Sequence, residues 1–284
     1  MSNYKSFALV GANGHIGKHI LKAFLSVGVN PLILTRKTSN TDTALPSSLT
    51  VAKVDIDNVE EIAEVLKKHG IEVVVSAIAG SALDAQQKAL ADAAKEAGVK
   101  LFAPSEYGVA TEGVSHSPNA HSASPLVQKD QFAEYLKSKG LPWTRFFTGA
   151  FNGFVPWFGA VEENGKFNIA KGKGDVVFSA TNEDDIGGFV AHVLTTLAPK
   201  DLEYRSFRIS GEEITFETAG KRLGKEIEYV DKVPGSGPVA EVRNLLLGII
   251  YSGQGTTRWD HEINGVRENA NDNHVWAGHE WKKL

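Results

Sequence analysis

The stretch that most narrows what this chain can become is SFALVGANGHIG, residues 6–17. Ser6–Val10 reads as a short β-strand. Gly11-Ala12-Asn13-Gly14-His15-Ile16-Gly17 follows directly, and Ile16–Ser26 carries the spacing of a helix. Few folds join a strand to a helix through three glycines at intervals of three. Gly11 is expected to allow the tight turn and Gly17 to let helix and strand pack closely. Gly14 is expected to bring the backbone near an anion, drawn by the exposed amides and dipole of the helix N-terminus. Asn13, His15 and Ile16 complete the loop.

The alternation continues. Pro31–Thr35, Thr50–Asp55, Val73–Ile78, Leu101–Pro104 and Trp143–Thr148 read as strands, and Val59–Lys68, Gln86–Ala97 and Pro125–Lys139 as helices among them. Val73–Ile78 is apolar almost throughout, as a strand buried on both faces requires. The pattern predicts an α/β fold with a Rossmann-like, doubly wound parallel sheet. After about Ala150 the texture changes to aromatics, glycines and short polar stretches. The expected division is a dinucleotide-binding domain over residues 1–150 and a smaller α+β substrate lobe over 151–284. Residues 175–200, with the helical run Glu183–Leu197, are expected to pack back on the first domain. Asp184 and Asp185 read as N-capping residues, and Ser236–Val239 and Ser252–Thr257 as surface turns.

Composition enters through what it excludes. Thirty Lys+Arg against 34 Asp+Glu leave a net charge of -4, which is no footprint for nucleic acid. The absence of cysteine removes disulfides, thiolate metal sites and cysteine nucleophiles. No metal site is expected. His15 and His19 stand four apart without the glutamate of a zinc-protease helix, and His261, His274 and His279 lack ligand spacing. No apolar run reaches the ~20 residues that span a bilayer. The N-terminus runs straight into the glycine loop, leaving no room for a signal peptide, so a cytoplasmic location is expected. Monomer and homodimer both stay open.

The second strand ends Leu34-Thr35-Arg36-Lys37-Thr38-Ser39. An NAD site usually carries Asp or Glu here, accepting from the ribose hydroxyls. A guanidinium instead stacks on adenine and pairs with a 2′-phosphate, which a carboxylate would repel. NADP(H) is therefore favoured, with Arg36 the main determinant and Lys37 or Ser39 assisting. Asp55 and Ile56 are expected to edge the adenine, and Ala77, Ile78 and Ala79 to pass under the ribose and pyrophosphate.

Several segments are shared with a known group: GANGHIG, VVVSAIAG, AAKEAGVKLFAPSEYG, LPWTRF, FNGF and EDDIGGFV. In this ordered set, over most of residues 5–195, the chain resembles the NmrA-like and isoflavone-reductase-like group of atypical short-chain dehydrogenases/reductases. The resemblance fades after about residue 205. It implies NADP(H) binding and a catalytic lysine one helix before the L-P-W-T strand, which is Lys129 here. Lys129 would bond the nicotinamide ribose and face the substrate. Tyr135 and Lys139 have the Y-x-x-x-K spacing of conventional short-chain dehydrogenases but end their helix, where they read as packing and a dipole-complementing cation. The position four before Lys129 is Pro125, so the conventional tyrosine is absent. The group often has asparagine where this chain has Gly149.

Further candidates follow from placement. Tyr107 ends a sheet strand, where ligands collect; Glu106 is expected to hold the next loop through backbone amides. His116 and His121 lie on the loop before Lys129, and His121 is the nearer proton-donor candidate. Phe151, Phe154, Trp157 and Phe158 are expected to wall in a flat substrate, with Phe151 beside the cofactor. The first functional reading is an NADPH-dependent reductase of a small aromatic or heterocyclic molecule of secondary metabolism. The reducible bond (activated C=C, C=N or benzylic C–O) stays open. The second is an NADP(H)-sensing regulator without turnover, and the third a non-redox enzyme, such as a cyclase, that retains NADP(H).

Overall fold

The computed structural model describes residues 4–39, 45–78, 83–117 and 124–284. In chain order the first elements are β1 (Phe7–Val10), α1 (Gly17–Ser26), β2 (Leu32–Arg36), β3 (Val51–Val54), α2 (Val59–Lys68), β4 (Val73–Ser76), α3 (Leu83–Glu96), β5 (Leu101–Ala103), α4 (Pro125–Ser138) and β6 (Thr144–Phe147). Then come β7 (Ala150–Phe151), α5 (Val155–Phe158), α6 (Val161–Asn164), β8 (Phe167–Ala170), β9 (Val177–Thr181) and α7 (Glu183–Thr196). The last are β10 (Arg205–Arg208), β11 (Glu212–Thr215), α8 (Phe216–Arg222), β12 (Ile227–Val230), α9 (Gly237–Ile249), β13 (Trp259–Asp260) and β14 (Gly265–Val266). The chain forms two compact units. One comprises Met1–Glu106, Thr111–Phe146 and Ile186–Phe207; the other comprises Tyr107–Ala110, Phe147–Asp185 and Arg208–Leu284.

In the first unit five parallel strands run in the order β3-β2-β1-β4-β5, and a parallel bridge from Phe102 to Trp143 adds the chain entering β6. The order reverses between β1 and β4, the switch point where open α/β sheets bind ligands. Alternate side chains go to opposite faces. Ala8, Val10, Leu34, Val74 and Phe102 pack with Ile62, Leu66, Leu90, Phe132 and Leu136 of α2, α3 and α4. On the other face Phe7 meets Phe24 of α1, ring centroids 5.1 Å apart. Helix α7 crosses α1 closely at Gly187, beside the backbone of His19. The start of α2 is set by Asn58, whose Oδ1 accepts from the Glu61 amide at 3.1 Å.

In the second unit β9 lies between β11, antiparallel, and β7, parallel; β12 pairs with β8 in parallel. Phe158, Phe167, Phe178 and Phe216 centre its core, so Phe158 packs inside rather than facing ligand. Three local expectations differ from the structure. Ser236–Val239 is no surface turn but the start of α9, an apolar-rich helix with Pro238 in its first turn. In Ser252–Thr257 a π-turn leads into Thr256 and Thr257, both buried. The α7 N-cap comes from Asn182, which accepts from the Asp184 amide at 3.0 Å, while Asp185 accepts the Lys282 amide at 2.7 Å.

Candidate functional site

The glycine loop is held by steric necessity. Gly11 has φ +83°, and a Cβ there would lie 2.6 Å from the carbonyl oxygen of Ala77. The Gly14 amide donates to the Gly11 carbonyl at 2.8 Å, closing the turn. A Cβ on Gly17 would stand 2.0 Å from the same carbonyl oxygen. Helix α1 begins without a side-chain cap and without an acidic residue in its first turn, leaving its positive pole uncompensated for an anion.

Above this loop opens a cleft of about 280 Å³. It is lined by the glycine loop after β1, by Thr35, Arg36 and Ser39 at the end of β2, by Ile56 after β3, and by Ala77, Ile78 and Gln86 beyond β4. Among the described residues no carboxylate is paired with Arg36. These residues fit a dinucleotide phosphate: a cradle where added Cβ atoms would intrude, a helix N-terminus, and an exposed guanidinium at the far end. His15 is exposed on the loop and Ile16 buried beneath it.

Two expected cleft residues point elsewhere. Lys37 does not line the cleft, because its ammonium binds Glu61 of α2 at 2.8 Å. Asp55 does not line it either; its carboxylate accepts the Asp57 amide at 3.1 Å and shapes the turn, while Ile56 faces the cleft. Ala79 and His121 lie outside the described residues. Two glutamines escaped sequence reading. Gln86 joins the wall, and Gln87 accepts the Ser105 amide at 2.8 Å. Ser105 Oγ in turn donates to the Ile78 carbonyl at 2.7 Å, fastening the cleft wall to the end of β5.

Lys129, on α4, is partly buried and donates to the backbone carbonyl of Glu106 at 2.6 Å. Burial pushes its ammonium below the usual lysine range; the Glu106 carboxylate opposes this and the Arg145 guanidinium adds to it. The Glu106 side chain departs from expectation. Instead of backbone amides it meets Arg145 Nε at 2.8 Å and Thr111 Oγ1 at 3.1 Å. Arg145 is the residue sequence reading missed altogether, and its only available signal was a cation inside an apolar strand. Tyr135 donates to Asp92, which also binds Lys139 at 2.7 Å, so this pair ties α4 to α3.

In the second unit Phe151, Phe154 and Trp157 form a row, with centroids 5.5 and 6.2 Å apart, and Phe154 is 39% exposed. Gly149 has no room for the asparagine common in its group, since its Cβ would lie 2.3 Å from the Ser179 carbonyl oxygen. Tyr107 is buried, in the left-handed region with φ +38°. His116 is exposed. His261 bonds the Ala110 carbonyl at 3.0 Å. Among the described residues no cluster of three His, Asp or Glu is arranged to hold a metal ion, and no helix is long and apolar enough to cross a membrane.

The oxidoreductase aprR of Aspergillus flavus is 39% identical over 149 residues, 50% of this chain and 48% of that protein. Bifunctional pinoresinol-lariciresinol reductase 2 of Thuja plicata is 30% identical over 195 residues, 63% of this chain and 62% of that protein. The chain thus spans about half to three-fifths of the length of these curated relatives. A leucoanthocyanidin reductase–NADPH complex from Vitis vinifera shares the fold, with TM-score 0.77 and 21% identity over 98% of this chain and 96% of that one. The sequence model of the NmrA-like family matches residues 3–237, and the chain belongs to that family.

Proposed function

We propose that this chain is an NADPH-dependent reductase of a small aromatic molecule. The observation that carries the reading is the cleft over the glycine loop, with Arg36 at its end and no acid in the position of a ribose-binding carboxylate. An exposed guanidinium suits a 2′-phosphate. NADPH, when bound, supplies a hydride. Lys129 then holds a proton at Nζ, or its positive charge, for the atom on which negative charge gathers as the substrate is reduced. Burial that lowers the lysine makes it the better acid. Substrate recognition falls to Phe151, Phe154 and Trp157, flat apolar surfaces suited to a ring, with Tyr107 as a further candidate. The names of the relatives, an oxidoreductase and a pinoresinol-lariciresinol reductase, support the same class.

The test is a titration with NADPH and NADH, followed by a panel of aromatic enones, imines and benzylic ethers with loss of NADPH absorbance as readout. Preference for NADPH with turnover supports the proposal. Tight binding with no turnover on any compound turns the reading to a sensor, and product without NADPH consumption turns it to a non-redox enzyme.

A further inference from the structure

We infer that Arg145 is a positioning residue for Lys129, holding both ends of the hydrogen bond that Lys129 makes to the Glu106 carbonyl. The inference rests on the catalytic reading of Lys129 above. On the acceptor side, Arg145 Nε donates to Glu106 Oε1 at 2.8 Å. Nη2 donates to Thr111 Oγ1, whose hydroxyl in turn donates a hydrogen bond to Glu106 Oε2 at 3.1 Å. Both carboxylate oxygens of the residue whose carbonyl receives Lys129 are thus held. On the donor side, Nη1 and Nη2 reach Asp130 Oδ1 at 3.4 Å, and Asp130 is the next residue after Lys129 on α4. Asp130 also accepts the Gly113 and Ser115 amides at 3.2 and 3.1 Å and the Ser115 hydroxyl at 2.6 Å. The segment that follows Thr111 is fastened to the same carboxylate.

The chemistry requires a guanidinium. Arg145 is 2% exposed, and its rigid fork serves three acceptors at once, which a single ammonium on a flexible stem would not. Arg145, Glu106 and Asp130 are buried and Lys129 partly so; two cations and two carboxylates balance where an uncompensated charge is expensive. Among the described residues the charged groups bearing on Lys129 Nζ are Glu106 at the end of β5 and Arg145 on β6, with Asp130 beside it on α4. Glu106 stabilises the ammonium and Arg145 opposes it, so the two have opposite and separable effects.

The test uses the full chain without cofactor, carrying ¹³C-labelled lysine. Lys129→Arg identifies the Lys129 signal, and its titration midpoint is followed against pH while circular dichroism monitors the fold. Arg145→Met is expected to shift the midpoint upward, because a repelling cation is gone while Glu106 remains. Glu106→Gln is expected to shift it downward, and Arg145→Lys to fall between the parent and Arg145→Met. A role confined to packing would move melting temperatures without these opposed midpoints. Midpoints for Glu106→Gln and Arg145→Lys that coincide with the parent, in folded protein, overturn the inference. Should Arg145→Met fail to fold, those two variants decide alone. A parent that does not bind NADPH overturns the proposed function and leaves the midpoints readable, so the two failures are distinct.

Discussion

Gly17→Ala isolates the steric logic of the glycine loop. A methyl at this position lies 2.0 Å from the Gly11 carbonyl oxygen and 2.8 Å from its carbon, and both are backbone atoms. Contacts under 3.0 Å do not persist, so strand end and helix start must separate by about 1 Å. Glycine to alanine within a helix ordinarily gains up to about 1 kcal/mol. Here overpacking against backbone reverses the sign, for a net loss of about 2 kcal/mol, or roughly thirtyfold in the folding equilibrium. The same displacement opens the cradle that the cleft is built on. Gly28→Ala is the matched control. Gly28 has φ +77° but nothing within 4 Å of its added Cβ, so only left-handed strain of about 1–2 kcal/mol applies, and Gly28 does not line the cleft. Urea midpoints by circular dichroism and NADPH titration by fluorescence read both effects. Gly17→Ala should lower the midpoint and weaken NADPH; Gly28→Ala should lower the midpoint alone. Parental NADPH affinity together with a parental midpoint in Gly17→Ala would refute the reasoning.

Other consequences are open to direct measurement. Arg36→Glu should weaken NADPH by roughly tenfold to a hundredfold, the worth of a charge-assisted bond, with NADH little affected in calorimetry; equal parental affinities for the two would remove Arg36 from the phosphate. Lys129→Ala should keep the fold and lose roughly a hundredfold or more in turnover, checked by melting temperature and by NADPH consumption on whichever panel compound is active. Arg145→Met leaves Glu106 and Asp130 buried without their cation and should cost about 3–5 kcal/mol of stability, measured by chemical denaturation. For Glu213, burial alone would raise the carboxyl, but hydrogen bonds from Arg258 and Thr256 outweigh it and hold it below the ordinary 4.5. Its contribution is therefore complete above pH 4.5 and is lost as pH falls through the lower folded value. Melting temperature should decline on acidification more steeply in the parent than in Arg258→Met, and parallel curves would count against this.

The doubly wound sheet was readable because its signals are local. A strand such as Val73–Ser76 announces itself by its run of three valines, and the turn at Gly11 by residue type and spacing. The second unit was harder. β7 and β9 are distant in sequence, and β11 and β9 pair across an intervening helix, so no short-range period marks them. Helix α9 opens with Ser-Gly-Pro, a combination as natural to a turn as to a helix start, and only its continuation into an apolar run distinguishes them.

The candidate site divides along the same line. Backbone geometry is a short-range property, so the glycine cradle, the cation at the end of β2 and the place of Lys129 on α4 follow from residue order. Side-chain partnership is set through space. Lys37 and Arg36 are neighbours in sequence, yet one turns to Glu61 and the other to the cleft, because successive side chains leaving a strand take opposite sides. Arg145, Glu106 and Asp130 come from a strand, a strand end and a helix. Nothing in their spacing joins them; the folded core brings them together, since a charge sealed from water must find its counter-charges within reach.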